Sequence, residues 1–326
     1  YLLVPLYTAI FAKPADYGVL SDLYAYVAFL VVLLPLGMET AYFRFIQQQD
    51  DTERVFNSSF VPVVLVNALF FLLLYLTNPW IAKWMLYRDH TEYIILVGSI
   101  VCIDAIASLP LAKLRAENNA KRFMAIQMSS ILLNIVLNLI FLLGYFDPSR
   151  PEEGIMFILI ANLLASGLKL LLVYNIISKV KFIFDWGLIK QMLSYSWPLV
   201  IAGFAGIINE TLDRVLLKQI LYNPDIPNSL EQATAQVGIY SACYKLAMLV
   251  TIFLQAYRYA AEPFFFSQLK NQDRNAVFVR TMNVFIAIVC LAFLFVSINL
   301  GVFKFFIRKE AYYVGLNVVP ILLLAN

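Results

Sequence analysis

Charge disappears from this chain for long stretches. Residues 55–82, 123–146, 191–209 and 281–303 contain no Asp, Glu, Lys or Arg. About 20 apolar residues in a helix cross the roughly 30 Å hydrocarbon layer of a bilayer, so each run is close to or beyond spanning length. Reading the runs against charged and Pro/Gly-rich breaks predicts spans near 20–46, 56–80, 93–112, 122–146, 154–177, 190–218, 236–265, 278–301 and 312–326. Polarity does not alternate over the roughly ten-residue units of barrel strands, so the spans are expected to be helices. Residues 1–11 are too short to cross and read as the second half of a helix, and the last span stops inside an apolar stretch; the expectation is that both ends are cut. Pro35, Pro62, Pro198 and Pro263 fall inside spans or near their ends, where each removes an amide donor and can bend its helix.

Composition narrows the class. Hydrophobic residues make up 62% and charged residues 14%, and the mean hydropathy of +0.78 is far from that of a soluble domain. The 26 Phe and 19 Tyr suit lipid-facing surfaces and interfacial belts. A formal charge of +3, spread along the chain, gives no case for a nucleic-acid partner. Cys102, Cys243 and Cys290 have neither zinc-site spacing nor a disulfide framework, and are expected in core packing. Arg54, Lys113, Arg115, Lys121, Arg122, Lys179, Lys181, Lys190, Lys270 and Arg274 fall in one set of loops, which is richer in basic residues than the other and is therefore assigned to the cytoplasm. Lys13, Lys83, Arg88, Arg150, Lys218 and the cluster Lys304, Arg308 and Lys309 belong to the opposite set, and that cluster runs against the assignment.

Two stretches correspond at an offset of 220 residues. Gly18, Ser21 and Tyr24 coincide with Gly238, Ser241 and Tyr244, each glycine lies just before a long apolar run, and each run follows a helix with an early proline, Pro5 or Pro198. Spans that repeat six helices apart enter from the same side. The expected architecture is two parallel, pseudo-repeated helical lobes about an axis along the membrane normal, enclosing a central cavity. The lobes would cover 1–177 and, after a cytoplasmic linker at 178–189, 190–326. A cavity of that kind can open alternately to either side, which suits transport better than hydrolysis.

Charges inside spans are costly, so they mark candidate sites. Glu39 and Arg44 are five apart in span two, a poor spacing for a direct pair, and Glu39 is expected to seek another helix. The repeat places Arg258 at the register of Met38, so Arg258 could approach Glu39 across the lobes. Arg44 could equally snorkel into headgroups. In span seven, Glu210 and Arg214 are spaced to pair, with Asp213 beside them, either as a structural group or as cavity lining. Lys245 and Arg258 interrupt span eight, and two cations on one helix require acidic partners or an anionic ligand. Asp22 and Tyr24 stand near the outward end of span two, and Tyr240 and Tyr244 in span eight are further hydroxyl carriers; all could meet sugar, though Asp22 and Tyr24 fit an interfacial cap equally well. Asp104 is expected to be protonated or paired, and Lys169 to snorkel. His90 is the single histidine, no metal cluster is visible, and no G-x-x-x-x-G-K-[ST] phosphate loop is present.

The segments Tyr1-Leu2-Leu3-Val4-Pro5-Leu6-Tyr7-Thr8, Ala15-Asp16-Tyr17-Gly18-Val19, Gly37-Met38-Glu39-Thr40-Ala41-Tyr42-Phe43-Arg44-Phe45 and Tyr195-Ser196-Trp197-Pro198-Leu199 resemble the multidrug/oligosaccharidyl-lipid/polysaccharide exporter superfamily, particularly its polysaccharide biosynthesis branch. The resemblance covers nearly the whole chain as an architecture. It implies a flippase that moves an undecaprenyl-pyrophosphate-linked oligosaccharide across the bacterial inner membrane, among membrane lipids, alongside a polysaccharide polymerase and glycosyltransferases. On that reading no cofactor is needed, Arg44, Lys245 and Arg258 contact the pyrophosphate, Asp22, Tyr24, Tyr240 and Tyr244 meet sugar, and Glu39 and Asp213 respond to a proton or a sodium ion. A cation-coupled drug exporter is the second reading, favoured by the acids, and a membrane glycosyltransferase or ligase the third. The basic eighth span favours an anionic substrate.

Overall fold

The computed structural model describes residues 3–181, 185–268 and 274–325, of which 249–250, 252–256, 258–268 and 274 are given by backbone alone. The described residues form α1 (Val4–Ile10), α2 (Pro14–Leu33), α3 (Met38–Phe45), α4 (Thr52–Trp84), α5 (Thr91–Ala116), α6 (Ala120–Ile140), α7 (Pro151–Leu172), α8 (Tyr174–Ile177), α9 (Trp186–Leu221), α10 (Ser229–Gln268), α11 (Arg274–Ile298), α12 (Leu300–Phe303) and α13 (Val319–Ala325). A π turn, Phe141–Tyr145, extends α6, and 3₁₀ turns occupy Lys304–Phe306 and Glu310–Val318. Counting α2 with α3 and α6 with its π turn, seven described helical segments are long and apolar enough to cross a membrane. The predicted eighth span lies within the 40-residue α10.

Polarity is inverted relative to a soluble bundle. On α4, Asn57, Asn67 and Asn78 recur at close to three helical turns and are buried, while Leu65, Leu69, Leu72, Leu73 and Leu76 are exposed. Lipid favours that arrangement, because amides are kept out of hydrocarbon and inside the bundle, where Asn67 Nδ2 reaches the Leu34 and Val63 carbonyls, and the leucines lose nothing outside it. Cys102 and Cys243 are buried as expected, whereas Cys290 lies on the exposed face of α11.

Two spans depart from the continuous helices that were expected. Span two is broken, since Leu36 and Gly37 both adopt left-handed φ, 56° and 64°. Pro35 precedes them, and the Met38 amide bonds the Pro35 carbonyl at 3.0 Å instead of reaching Leu34. That leaves the Leu34 carbonyl without its helical donor, and Asn67 on α4 supplies one through Nδ2 at 3.1 Å. A Cβ at Gly37 would also stand 3.1 Å from Ser196 Cβ and 3.2 Å from Val200 Cγ2, so both conformation and packing favour glycine there. The tenth span is the 3₁₀ run Glu310–Val318 followed by the seven-residue α13. Pro320 has no amide to offer the Leu316 carbonyl, which takes the amide of Val319 instead and tightens the helix.

The chain forms two compact units, Asp22–Leu216 and a second that joins Tyr1–Ser21 to Leu217–Asn326. In the first, Tyr42, Phe56 and Phe60 pack at the meeting of α3, α4, α5 and α9 with Met38, Leu109 and Met192. The rings of Phe56 and Phe60 stack at 5.7 Å, and Tyr42 meets Phe56 edge-on at 5.8 Å.

The second unit is organised by a helix crossing. A Cβ added to Gly18 would lie 1.9 Å from the Thr234 carbonyl oxygen and 3.1 Å from the Gly238 nitrogen. One added to Gly238 would lie 2.0 Å from the Pro14 carbonyl oxygen and 3.0 Å from the Gly18 nitrogen. Each glycine meets the other helix at the same place, the residue four before its counterpart, so the contact is self-complementary in the manner of a two-fold axis. Lys13 reaches Glu231 at 2.7 Å, which brings the starts of α2 and α10 together. The two helices therefore leave the crossing in the same direction.

Candidate functional site

Polar side chains inside the spans of the 22–216 unit form linked sets. Asn162 on α7 donates through Nδ2 to the Tyr24 hydroxyl at 2.7 Å, and its Oδ1 accepts from Asn134 Nδ2 on α6 at 2.9 Å. Asn138, one turn along α6, donates to the Asn134 carbonyl at 2.8 Å. Tyr24, expected to meet sugar, is thus tied to two asparagines that a search for charges passes over; amides recurring in a charge-free run were the signal to follow. Asp104 on α5 and Lys169 on α7 pair at 2.8 Å, with side chains 35% and 17% exposed. Lys169 therefore does not snorkel freely, and Asp104 takes the paired alternative. Asp22 is fully buried and accepts the Tyr87 hydroxyl at 2.7 Å through Oδ2. Burial first, and the Asp22 charge second, push the Tyr87 hydroxyl well above the usual tyrosine range and keep it a donor. This carboxylate is enclosed rather than presented to a ligand.

One end of the same unit is laced by ion pairs. Glu39 on α3 pairs with Arg115 on α5, Glu53 with Lys113 at 2.5 Å, and Asp185 with Arg54 at 2.6 Å. Glu39 does seek another helix, and the partner is Arg115; the side chain of Arg258 lies outside the described residues. Arg44 lies over the Tyr195 ring at 4.1 Å, a cation–π contact on an exposed surface. The Leu188 amide first, and Arg54 next, hold the Asp185 carboxyl below its usual range. Sequence reading counted Arg54, Lys113 and Arg115 only as loop charges and missed their pairing.

The side-chain pair expected between Glu210 and Arg214 is replaced by a different bond. Arg214 Nη1 donates to the Glu210 main-chain carbonyl at 3.1 Å, and Asp213 Oδ1 accepts the Arg214 amide at 2.8 Å. Helical side chains lean toward the N-terminus, and the buried arginine folds back along its own turn while Glu210 remains exposed. Lys218, expected in a loop, is a fully buried residue of α9.

In the second unit, the Tyr240 and Tyr244 rings lie 6.2 Å apart on one face of α10, and Tyr244 is buried. Half-buried Lys245 places Nζ 3.9 Å from Met248 Sδ. The residues expected to bind the anion and sugar accordingly belong to both units, with Arg44, Asp22 and Tyr24 in one and Lys245, Tyr240 and Tyr244 in the other.

Long helices with apolar exteriors, buried amides and intramembrane ion pairs define a multi-pass helical membrane protein. The chain belongs to the polysaccharide biosynthesis protein family, whose sequence pattern matches residues 2–270. No curated protein and no solved structure matches it.

Proposed function

We propose that the protein is a flippase, which carries an undecaprenyl-pyrophosphate-linked oligosaccharide from the cytoplasmic to the outer face of a bacterial inner membrane. It does so between two parallel helical lobes that expose a central cavity to either side in turn, and it makes and breaks no covalent bond in the substrate. The observation that carries this reading is the reciprocal crossing of Gly18 and Gly238, at the 220-residue offset of the sequence repeat, in a member of a polysaccharide biosynthesis family. The crossing lies within the second compact unit and joins segments that the repeat assigns to the two proposed lobes, 1–177 and 190–326; like lobes related in that way can rock against each other around a fixed site.

The chemistry asks for cations in the path. A pyrophosphate leaving water needs its hydration shell replaced, and Arg44, Lys245 and Arg258 supply charge and donors while the lipid tail stays in hydrocarbon. Tyr240 and Tyr244 offer hydroxyls to sugar. Glu39 and Asp213 are the groups through which a proton or sodium gradient would act. The acids also keep the second reading, a cation-coupled drug exporter.

Charge dependence separates the readings. In proteoliposomes, Arg258→Ala is expected to slow translocation of a pyrophosphate-linked oligosaccharide about tenfold or more, with membrane insertion intact, and Arg258→Lys to recover part of the rate because the charge returns without the planar donor fork. Unchanged flipping by the inserted Arg258→Ala protein would sink the anion-binding role. Export of organic cations in place of the lipid-linked sugar would favour the drug-exporter reading.

A further inference from the structure

Asp104 lies at the centre of α5, thirteen residues from Thr91 and twelve from Ala116, or about 18–20 Å from either end. Lys169 is three residues from the end of α7 at Leu172, close enough for its ammonium to reach headgroups, yet it turns inward to Asp104 at 2.8 Å. An ion pair so placed is a poor way to stabilise a bundle, because two desolvated charges regain little more than they lose and apolar side chains of like volume serve as well. Ionisable groups kept inside a span mark function by default. Of the seven segments long enough to cross a membrane, α5 is the most enclosed, but both members of the pair keep accessible surface. They can be reached.

Among the described residues, Lys169 has no other acid and Asp104 no other cation within ion-pair distance. Of the helices packed against α5, α4 over 55–82 and α6 over 123–146 carry no charged side chain, and α7 carries only Lys169 between 154 and 172. At the start of α6, Arg122 reaches the Leu172 carbonyl. On α3, Glu39 is taken by Arg115, about three turns farther along α5, and Arg44 lies over the Tyr195 ring. Within the same unit α2 meets α5 through Leu34, and brings Asp22, bonded to Tyr87, Tyr24, bonded to Asn162, and Tyr26, edge-on to Trp84. Asn162, Ser166 and Lys169 follow one another at i, i+4 and i+7, so the polar face of α7 runs from the Tyr24 hydroxyl to the ammonium.

We propose that Asp104 and Lys169 form a proton-linked anion switch. A phosphate of the substrate takes Lys169 from Asp104, and the carboxylate left unpaired in mid-membrane accepts a proton from water, because a lone charge there is neutralised at far smaller cost than it is kept. When the anion leaves, the proton leaves and the pair closes again. Proton and anion binding are then reciprocal, each favouring the other. Lys169 is the anion contact, and Asp104 is the counter-ion that holds it in reserve. The switch rests on the reading of the substrate as an anionic lipid.

Isothermal titration calorimetry of the full chain in detergent with undecaprenyl pyrophosphate, repeated in buffers of different ionisation enthalpy, counts the protons taken up per lipid bound. The lipid's own ionisation is common to every variant and cancels in the differences between them. Wild type is expected to take up about one proton more than Asp104→Asn, which binds the lipid more tightly because no pair has to be broken. The double variant, Lys169→Met with Asp104→Asn, strands no charge and is expected to bind at least about tenfold more weakly than Asp104→Asn. If Asp104→Asn does not fold, the double variant replaces it as the reference for the proton number, and wild type as the reference for affinity. Binding by wild type with the reference's proton number overturns the switch and leaves the anionic substrate standing. Undiminished binding by the double variant overturns Lys169 as the anion contact. No binding of the lipid by wild type overturns the substrate reading, and the switch with it.

Discussion

A methyl group is the smallest change that can test the crossing of α2 and α10. At Gly18 or Gly238 it would collide with a carbonyl oxygen at 1.9 or 2.0 Å, and backbone cannot rotate away as a side-chain tip can. Gly18→Ala is expected to cost about 1–3 kcal/mol and lower the melting temperature in detergent. Gly144→Ala and Gly206→Ala, where a Cβ meets nothing within 4 Å, serve as controls and are expected to be neutral. The sequence marked Gly18 and Gly238 as counterparts through three identities, but it could not show that they touch, because contact between residues 220 apart is a property of packing. The Asp104–Lys169 pair was hidden for the same reason, each residue being visible as a charge within a span and the pairing not. Lys169→Met alone is expected to strand Asp104 at a cost of about 1–3 kcal/mol. Adding Asp104→Asn should recover most of that loss, and a coupling of about 0.5–3 kcal/mol in the double-mutant cycle would measure the pair. Additive effects would mean that the contact contributes nothing.

Among elements, the broken span depends on another helix for its integrity. Asn67 on α4 satisfies the Leu34 carbonyl that the break leaves bare. Asn67→Leu is expected to destabilise the protein by about 1–3 kcal/mol in reversible unfolding from mixed micelles, since the orphaned carbonyl has no water to turn to. Asn78→Leu on the same buried face is the control, because its side-chain oxygen has no partner to lose; equal costs for the two would contradict the capping role. Helix positions were readable from charge-free runs, since hydrophobic length is a local property. The break was foreshadowed by Pro35 but not located, because an apolar window cannot see that Leu36 and Gly37 turn left-handed. The 3₁₀ run at Glu310–Val318 escaped for a similar reason: Pro320 controls hydrogen bonding without changing hydrophobicity.

For the whole molecule, the membrane class followed from composition and run length, and membership in the polysaccharide biosynthesis family agrees with the resemblance carried by the quoted segments. The candidate site was less legible. Charged residues announced themselves, yet Tyr24, Asn162 and Asn134 are joined by uncharged amides, and Glu39 found a partner that had been counted only for its orientation bias. The central claim is that the protein moves a lipid-linked sugar intact from one leaflet to the other. The direct measurement is a proteoliposome assay in which an undecaprenyl-pyrophosphate oligosaccharide starts in one leaflet, its arrival in the other is read with an impermeant sugar-oxidising reagent, and its mass is checked afterwards. The account predicts protein-dependent arrival of substrate with unchanged mass. A product of altered mass, or no arrival beyond that in protein-free vesicles, would contradict it.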